Sequence, residues 1–103
     1  MSSIKLRAIS QDGIIIVKAL IKHPMETGLR LTRQTGDPIP AHHIVTLLVH
    51  HEDQLVLDTD WGPGISANPW LSFRFLGGKV GERVSLTWID TVGHREVRET
   101  RIK

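Results

Sequence analysis

The sequence predicts an all-β protein, an immunoglobulin-like antiparallel β-sandwich of about seven strands. Three observations carry the prediction. Apolar residues recur with period two along most of the chain, turn signals arrive about every ten residues, and no apolar stripe of 3.6-residue period outlasts two helical turns. With 103 residues the chain is expected to form one domain, 1–103. A chain of this size buries roughly 60–70% of its unfolded surface, enough for one core without staples.

Each element follows in order. Ile4, Leu6 and Ala8 alternate with Lys5 and Arg7, which describes a strand with one wet face. Asp12-Gly13 is a turn signal, and Ile14 to Ile21 then run almost continuously apolar. Ile15, Val17, Ala19 and Ile21 share one face there, while Lys18 and Lys22 mark the other as partly solvated. A third strand spans Ile44 to Val49, with Val45, Leu47 and Val49 expected on one face. The polar run His50-His51-Glu52-Asp53-Gln54 turns into Leu55, Val56 and Leu57. Leu71, Phe73 and Phe75 alternate with Ser72 and Arg74, and a glycine-rich connection over 77–81 follows. Val84, Leu86 and Trp88 then alternate with polar residues until Asp90-Thr91-Val92-Gly93 turns the chain. Arg95 to Ile102 carries charges on both faces, as suits an edge strand protected against unwanted pairing. The Cys…Trp…Cys pattern of antibody domains is missing, so the prediction concerns architecture alone.

Two connections exceed the length of turns. Residues 23–43 contain three prolines and two glycines, and loops that long are usually functional or disordered. Residues 58–70 place Trp61 and Trp70 among prolines and glycines, where such large amphipathic rings need a cover. Both tryptophans are candidates for a partner surface, and packing over the sandwich end within the monomer is the alternative.

Composition narrows the chemistry. The formal charge is only +2, a weak footprint for nucleic acid or anionic lipid, and the alternating signs of the last segment suit a solvated edge. No stretch reaches the ~18–20 apolar residues of a membrane span. The N-terminal run Met1 to Arg7 offers no apolar signal core, so on its own the chain is expected to stay in the cytoplasm. The chain has no cysteine, which excludes disulfides, thiolate metal sites and a sulfur nucleophile of its own.

Motif by motif, catalysis finds little support. Neither His42-His43 nor His50-His51 can chelate one ion from a strand, because adjacent side chains point to opposite faces. They read as partly exposed strand-end histidines. His23 and Met25 offer an imidazole and a thioether, soft donors that suit Cu(I). The alternative is that Met25 packs and His23 closes a strand by hydrogen bonding. Glu26, Asp58 and Asp60 read as solvated loop carboxylates. No nucleophile elbow or phosphate loop is present, and no cofactor is expected.

The string His23-Pro24-Met25-Glu26-Thr27-Gly28-Leu29-Arg30 resembles the signature of the SoxZ family. So do Ile39-Pro40-Ala41-His42, Trp61-Gly62-Pro63, the run Ser66 to Phe73, and Gly81-x-x-Val84 leading to Thr87-Trp88-x-Asp90. His43 and Trp70 stand where other aromatics are expected in this family, which puts no role in doubt. The resemblance implies a non-catalytic, immunoglobulin-like subunit that scaffolds a SoxY partner in bacterial thiosulfate oxidation. That partner's C-terminal arm ends around a cysteine that carries the sulfur, and other Sox enzymes visit it in turn. The family further implies a periplasmic location reached by co-export with the signal-bearing partner. His23, Met25, Arg30, Trp61, Asn68 and Trp70 are the candidate partner-binding residues. Exposed tryptophans and a free edge leave an isolated subunit able to form homodimers. The competing reading is a periplasmic copper-binding sandwich using His23 and Met25. A superoxide-reductase-like enzyme would need a cysteinate that this chain lacks.

Overall fold

In the computed structural model, which describes residues 3–103, the period-two pattern becomes a burial pattern. Met1 and Ser2, the start of the alternating N-terminal run, lie outside the described residues. The strands are β1 (Ile4–Gln11), β2 (Ile14–Ile21), β3 (Ile44–His51), β4 (Gln54–Asp60), β5 (Trp70–Leu76), β6 (Arg83–Asp90) and β7 (Arg95–Arg101). They form a three-stranded sheet, β1-β2-β5, and a four-stranded sheet, β4-β3-β6-β7, and every neighbouring pair is antiparallel. This is the predicted all-β sandwich. Among the described residues no helix is long and apolar enough to cross a membrane. The core lies between the sheets, where Ile15, Val17 and Ile21 of β2 join Leu47 and Val49 of β3 and Val84 and Leu86 of β6. Asp12 and Gly13 join β1 to β2 in a two-residue turn, both with positive φ (54° and 82°), as the Asp-Gly pair predicts.

Three details depart from the expected pattern. On β3 it is Ile44, not Val45, that is fully buried. A bulge explains this: Ile44 pairs with Asp90 and Thr46 with Ile89, so Val45 is the extra residue and the phase of the strand shifts. The freed Val45 carbonyl accepts the Trp61 N–H at 2.8 Å. Second, β4 runs on to Asp60, with Asp58 opposite Leu48 and Asp60 opposite Thr46, so both carboxylates belong to a strand and the loop shrinks to 61–69. Third, the last segment is less exposed than its charges suggest. Glu96 accepts hydrogen bonds from the Ser3 N–H (2.6 Å) and Oγ (2.7 Å), and beyond β7 the buried Ile102 leads to Lys103, which bonds to Ala8 and Ser10 of β1.

That crossing of the chain end from one sheet to the other needs room at Gly78. A Cβ there would sit 2.6 Å from Cγ1 of Ile15 and 3.1 Å from Cδ1 of Ile102. Overpacking of a filled core costs about 1–3 kcal/mol. Gly78→Ala is therefore expected to lower the melting temperature, whereas Gly64→Ala, which meets nothing within 4 Å, leaves it in place. Equal thermal unfolding curves for the two variants would refute this.

The 23–43 connection is an ordered antiparallel ribbon. Glu26 and His42 exchange backbone hydrogen bonds of 2.7 and 3.0 Å, Ile39 bonds back to Arg30 (2.7 Å), and Thr32 to Asp37 (2.8 Å). At Gly28 (φ 90°) the backbone passes so close to Ala41 that a Cβ would lie 3.2 Å from that residue's own. The protein measures 54 × 24 × 20 Å along its principal axes.

Candidate functional site

The row Val84, Leu86, Trp88 of β6 points into the core, and the same period carries Asp90 onto that face. A carboxylate at the end of an apolar row must find partners or not ionise. Asp90, only 4% exposed, finds them from the two ends of the 23–43 connection and from the turn that follows β6. Its Oδ2 accepts from Nε2 of His23 (3.0 Å) and Nε2 of His42 (2.9 Å), and its Oδ1 from the backbone N–H groups of Val92 (3.1 Å) and His94 (2.9 Å). Nδ1 of His94 lies 3.6 Å from the same Oδ2. Burial pushes the Asp90 carboxyl up, but the hydrogen bonds from His23, the His94 backbone and His42 outweigh it and hold the group below its ordinary 3.8.

His23 is buried and set edge-on to Trp88 at 5.1 Å and to His42 at 4.7 Å. Its Nδ1 accepts the Met25 N–H at 3.2 Å, so the ring proton sits on Nε2 and is donated to Asp90. Met25 takes a left-handed conformation (φ 51°), which turns its side chain into the core, where Sδ accepts the Ile44 N–H at 3.4 Å. Asn68, also left-handed (φ 52°), closes the second loop over the same spot. Its Oδ1 accepts the His23 N–H (3.1 Å) and its own N–H donates to the His23 carbonyl (2.9 Å). Trp88 donates Nε1–H to Ser3 Oγ at 3.3 Å. Among the described residues no buried side-chain nitrogen or oxygen lacks a partner.

Of the six candidate residues, then, three meet: His23, Met25 and Asn68 form one lattice with Asp90. Arg30 lies further along the ribbon, its Nε 3.1 Å from Oε2 of Glu26, so that carboxylate is ion-paired rather than merely solvated. Trp61 is half-buried and packs on the core, while Trp70, at 69% exposed, stands opposite Leu20 on the outer face of the three-stranded sheet. Between the two loops a groove runs past Met25, Glu26 and Arg30 on one wall and Pro63, Ile65 and Ser66 on the other.

Two members of the cluster, His42 and Asp90, were not among the six candidates. His42 is no idle strand-end histidine, because the ribbon folds it back over Asp90. His51 is likewise tied, to Glu82 at 3.0 Å. Asp90 itself carried a signal, a charge in the core phase of β6. The His23–Met25 pair does not fit a Cu(I) site: the imidazole Nδ1 and the sulfur each hold a backbone N–H, and Nε2 is spent on Asp90.

The residues that converge here come from four of the five segments of the quoted signature. The family model of "Sulphur oxidation protein SoxZ" matches the chain over residues 4–101. No curated protein matches it.

Proposed function

Because the chain belongs to the SoxZ family and so acts in the Sox system of sulfur oxidation, we propose that it is the non-catalytic half of a periplasmic heterodimer, scaffolding a SoxY partner whose cysteine carries the sulfur. One observation carries this reading. The signature residues with catalytic potential, His23, His42 and Asp90, are joined in a hydrogen-bonded lattice that holds two loops in place, and the chain has no cysteine to bear a sulfur adduct. The groove between the loops that the lattice ties down, and Trp70 exposed on the outer face of the three-stranded sheet, are surfaces suited to a partner. Export with the signal-bearing partner belongs to the same proposal, as does docking of other Sox enzymes on the assembled pair.

Purification of the complex from thiosulfate-grown cells, followed by intact-mass analysis, tests it. A stoichiometric cysteine-bearing partner with sulfur adducts, beside this chain at its unmodified mass, is the expected result. A chain that purifies alone, or that carries the adduct itself, would sink the proposal.

The tryptophans separate folding from association. Trp61→Ala is expected to lower the melting temperature, since a large ring packed on the core is lost, and Trp70→Ala to leave the stability within about 0.5 kcal/mol while weakening the heterodimer by roughly tenfold or more. Unchanged heterodimer affinity for Trp70→Ala would remove that residue from the interface.

A further inference from the structure

We propose that the outer face of the three-stranded sheet is where the partner of the heterodimer docks, and that the partner meets it with carboxylates around an apolar slot for Trp70. The register sets Lys18 of β2 directly opposite Arg7 of β1, with Lys5 and Arg74 on its diagonals. Opposite residues of an antiparallel pair stand about 4.5–5.5 Å apart at Cβ, and diagonal ones about 7–8 Å. These four cations share the face with no carboxylate. Trp70 and Leu20 lie side by side in the row that holds Lys5.

Like charges set opposite one another weaken a sheet, so the Arg7–Lys18 pair is a cost to the isolated chain. Elsewhere arginines are neutralised, Arg30 by Glu26 and Arg83 by Glu52. Among the described residues none of Lys5, Arg7, Lys18 and Arg74 enters an ion pair. Without these four, the formal charge of the chain would be −2 instead of +2. The outer face of the four-stranded sheet has no such bias, since Asp58, Asp60 and Glu99 lie there among its arginines. A shallow depression of about 460 Å³ opens beside the cations, lined by Lys5, Arg7 and Lys18 with Leu20 and Trp70, and Arg98 of β7 joins it.

The apolar groups decide the class of occupant. Ile9, Leu20, Trp70 and Leu76 are exposed around the cations. A nucleic-acid backbone would satisfy the charges and leave these side chains wet. A second copy laid face to face would set four cations against four. A protein surface with carboxylates and a cleft for the indole covers both kinds of group. This face is assigned to the partner on the strength of the heterodimer proposed for the chain, to which it adds the partner's charge.

Lys18→Glu separates docking from folding. It turns the repelling pair with Arg7 into an attracting one, so the melting temperature of the isolated chain is expected to hold or rise. The Kd of the heterodimer is expected to rise roughly tenfold or more, measured by calorimetry at low salt against the cysteine-bearing partner taken from the purified complex. Added salt is expected to weaken the wild-type pair and narrow that difference. Arg95→Glu makes the same change of net charge on the four-stranded sheet and is expected to shift the Kd less than about twofold. Undiminished affinity of Lys18→Glu, or equal losses in both variants, would overturn the face and leave the heterodimer standing. Binding of the wild-type chain to phosphatidylglycerol vesicles, lost in Lys18→Glu while the Kd of the pair is unchanged, would give the face to a lipid surface instead. Failure of the wild-type chain to form any heterodimer would remove the pair and the face together.

Discussion

Asp90→Ala is expected to unfold the protein at a markedly lower temperature than any surface change. The substitution strands the Nε2–H of His23 and two backbone N–H groups, all of which now point at Asp90. His42 can turn its ring to water, but His23 cannot, since its only other ring nitrogen is occupied by Met25. Removing one partner from a buried charged network costs about 3–5 kcal/mol. At about 4–8 °C per kcal/mol for a domain of this size, the melting temperature should fall by at least about 12 °C. Asp90→Asn is no rescue, because both carboxylate oxygens accept hydrogen bonds and the amide NH₂ must face N–H donors on one side or the other. The pH dependence has a definite sign. Asp90 is held below its ordinary 3.8 in the folded state, so its contribution is full above that value and lost as pH falls through the lower folded one. The part of the gap between wild type and Asp90→Ala that rests on the ionised carboxylate, measured by calorimetry with chelator present, is therefore lost as the pH falls below about 4. A gap that does not close below about pH 4, or a melting temperature within a few degrees of wild type, would show that the ionised carboxylate contributes little.

Met25→Ala is the second large effect. The side chain is 5% exposed and lies in the core cluster. Truncation leaves a cavity at a cost of about 2–5 kcal/mol and frees the Ile44 N–H that the sulfur accepts. Met25→Leu keeps the volume and should cost less than about 1.5 kcal/mol. Chemical denaturation of the two variants checks both figures. If alanine were tolerated within about 0.5 kcal/mol, Met25 would have to be reassigned from packing to surface recognition.

The strands were legible because burial on a pleated sheet is a local, two-residue alternation that the sequence writes out. Where it misled, the cause was a bulge: one inserted residue on β3 swapped Val45 for Ile44, and bulges carry no side-chain signature. The same bulge decides the fate of the tryptophans. Both stand among prolines and glycines in the sequence, but the carbonyl it frees at Val45 anchors Trp61 against the core, while Trp70 begins β5 on its outward face. For the cluster the limit was distance. His23, His42 and Asp90 belong to separate segments, and only the ribbon's hairpin and the end of β6 bring them together. His42 and His43 looked alike in sequence, yet the ring of the first lies over Asp90 and the ring of the second bonds beside itself, to the Ile44 carbonyl.

Those separations have a kinetic consequence. His23 meets Asp90 across 67 positions of sequence, His42 across 48, and Ser3 meets Glu96 across 93. Closing such loops costs entropy before any contact repays it, so pairings of this kind form late and slow the search. The lattice behaves as a clasp that shuts on a sandwich already assembled. Loss of Asp90 should then leave the refolding rate nearly untouched and appear as faster unfolding, so that the clasp sets how long the two loops stay in place once formed.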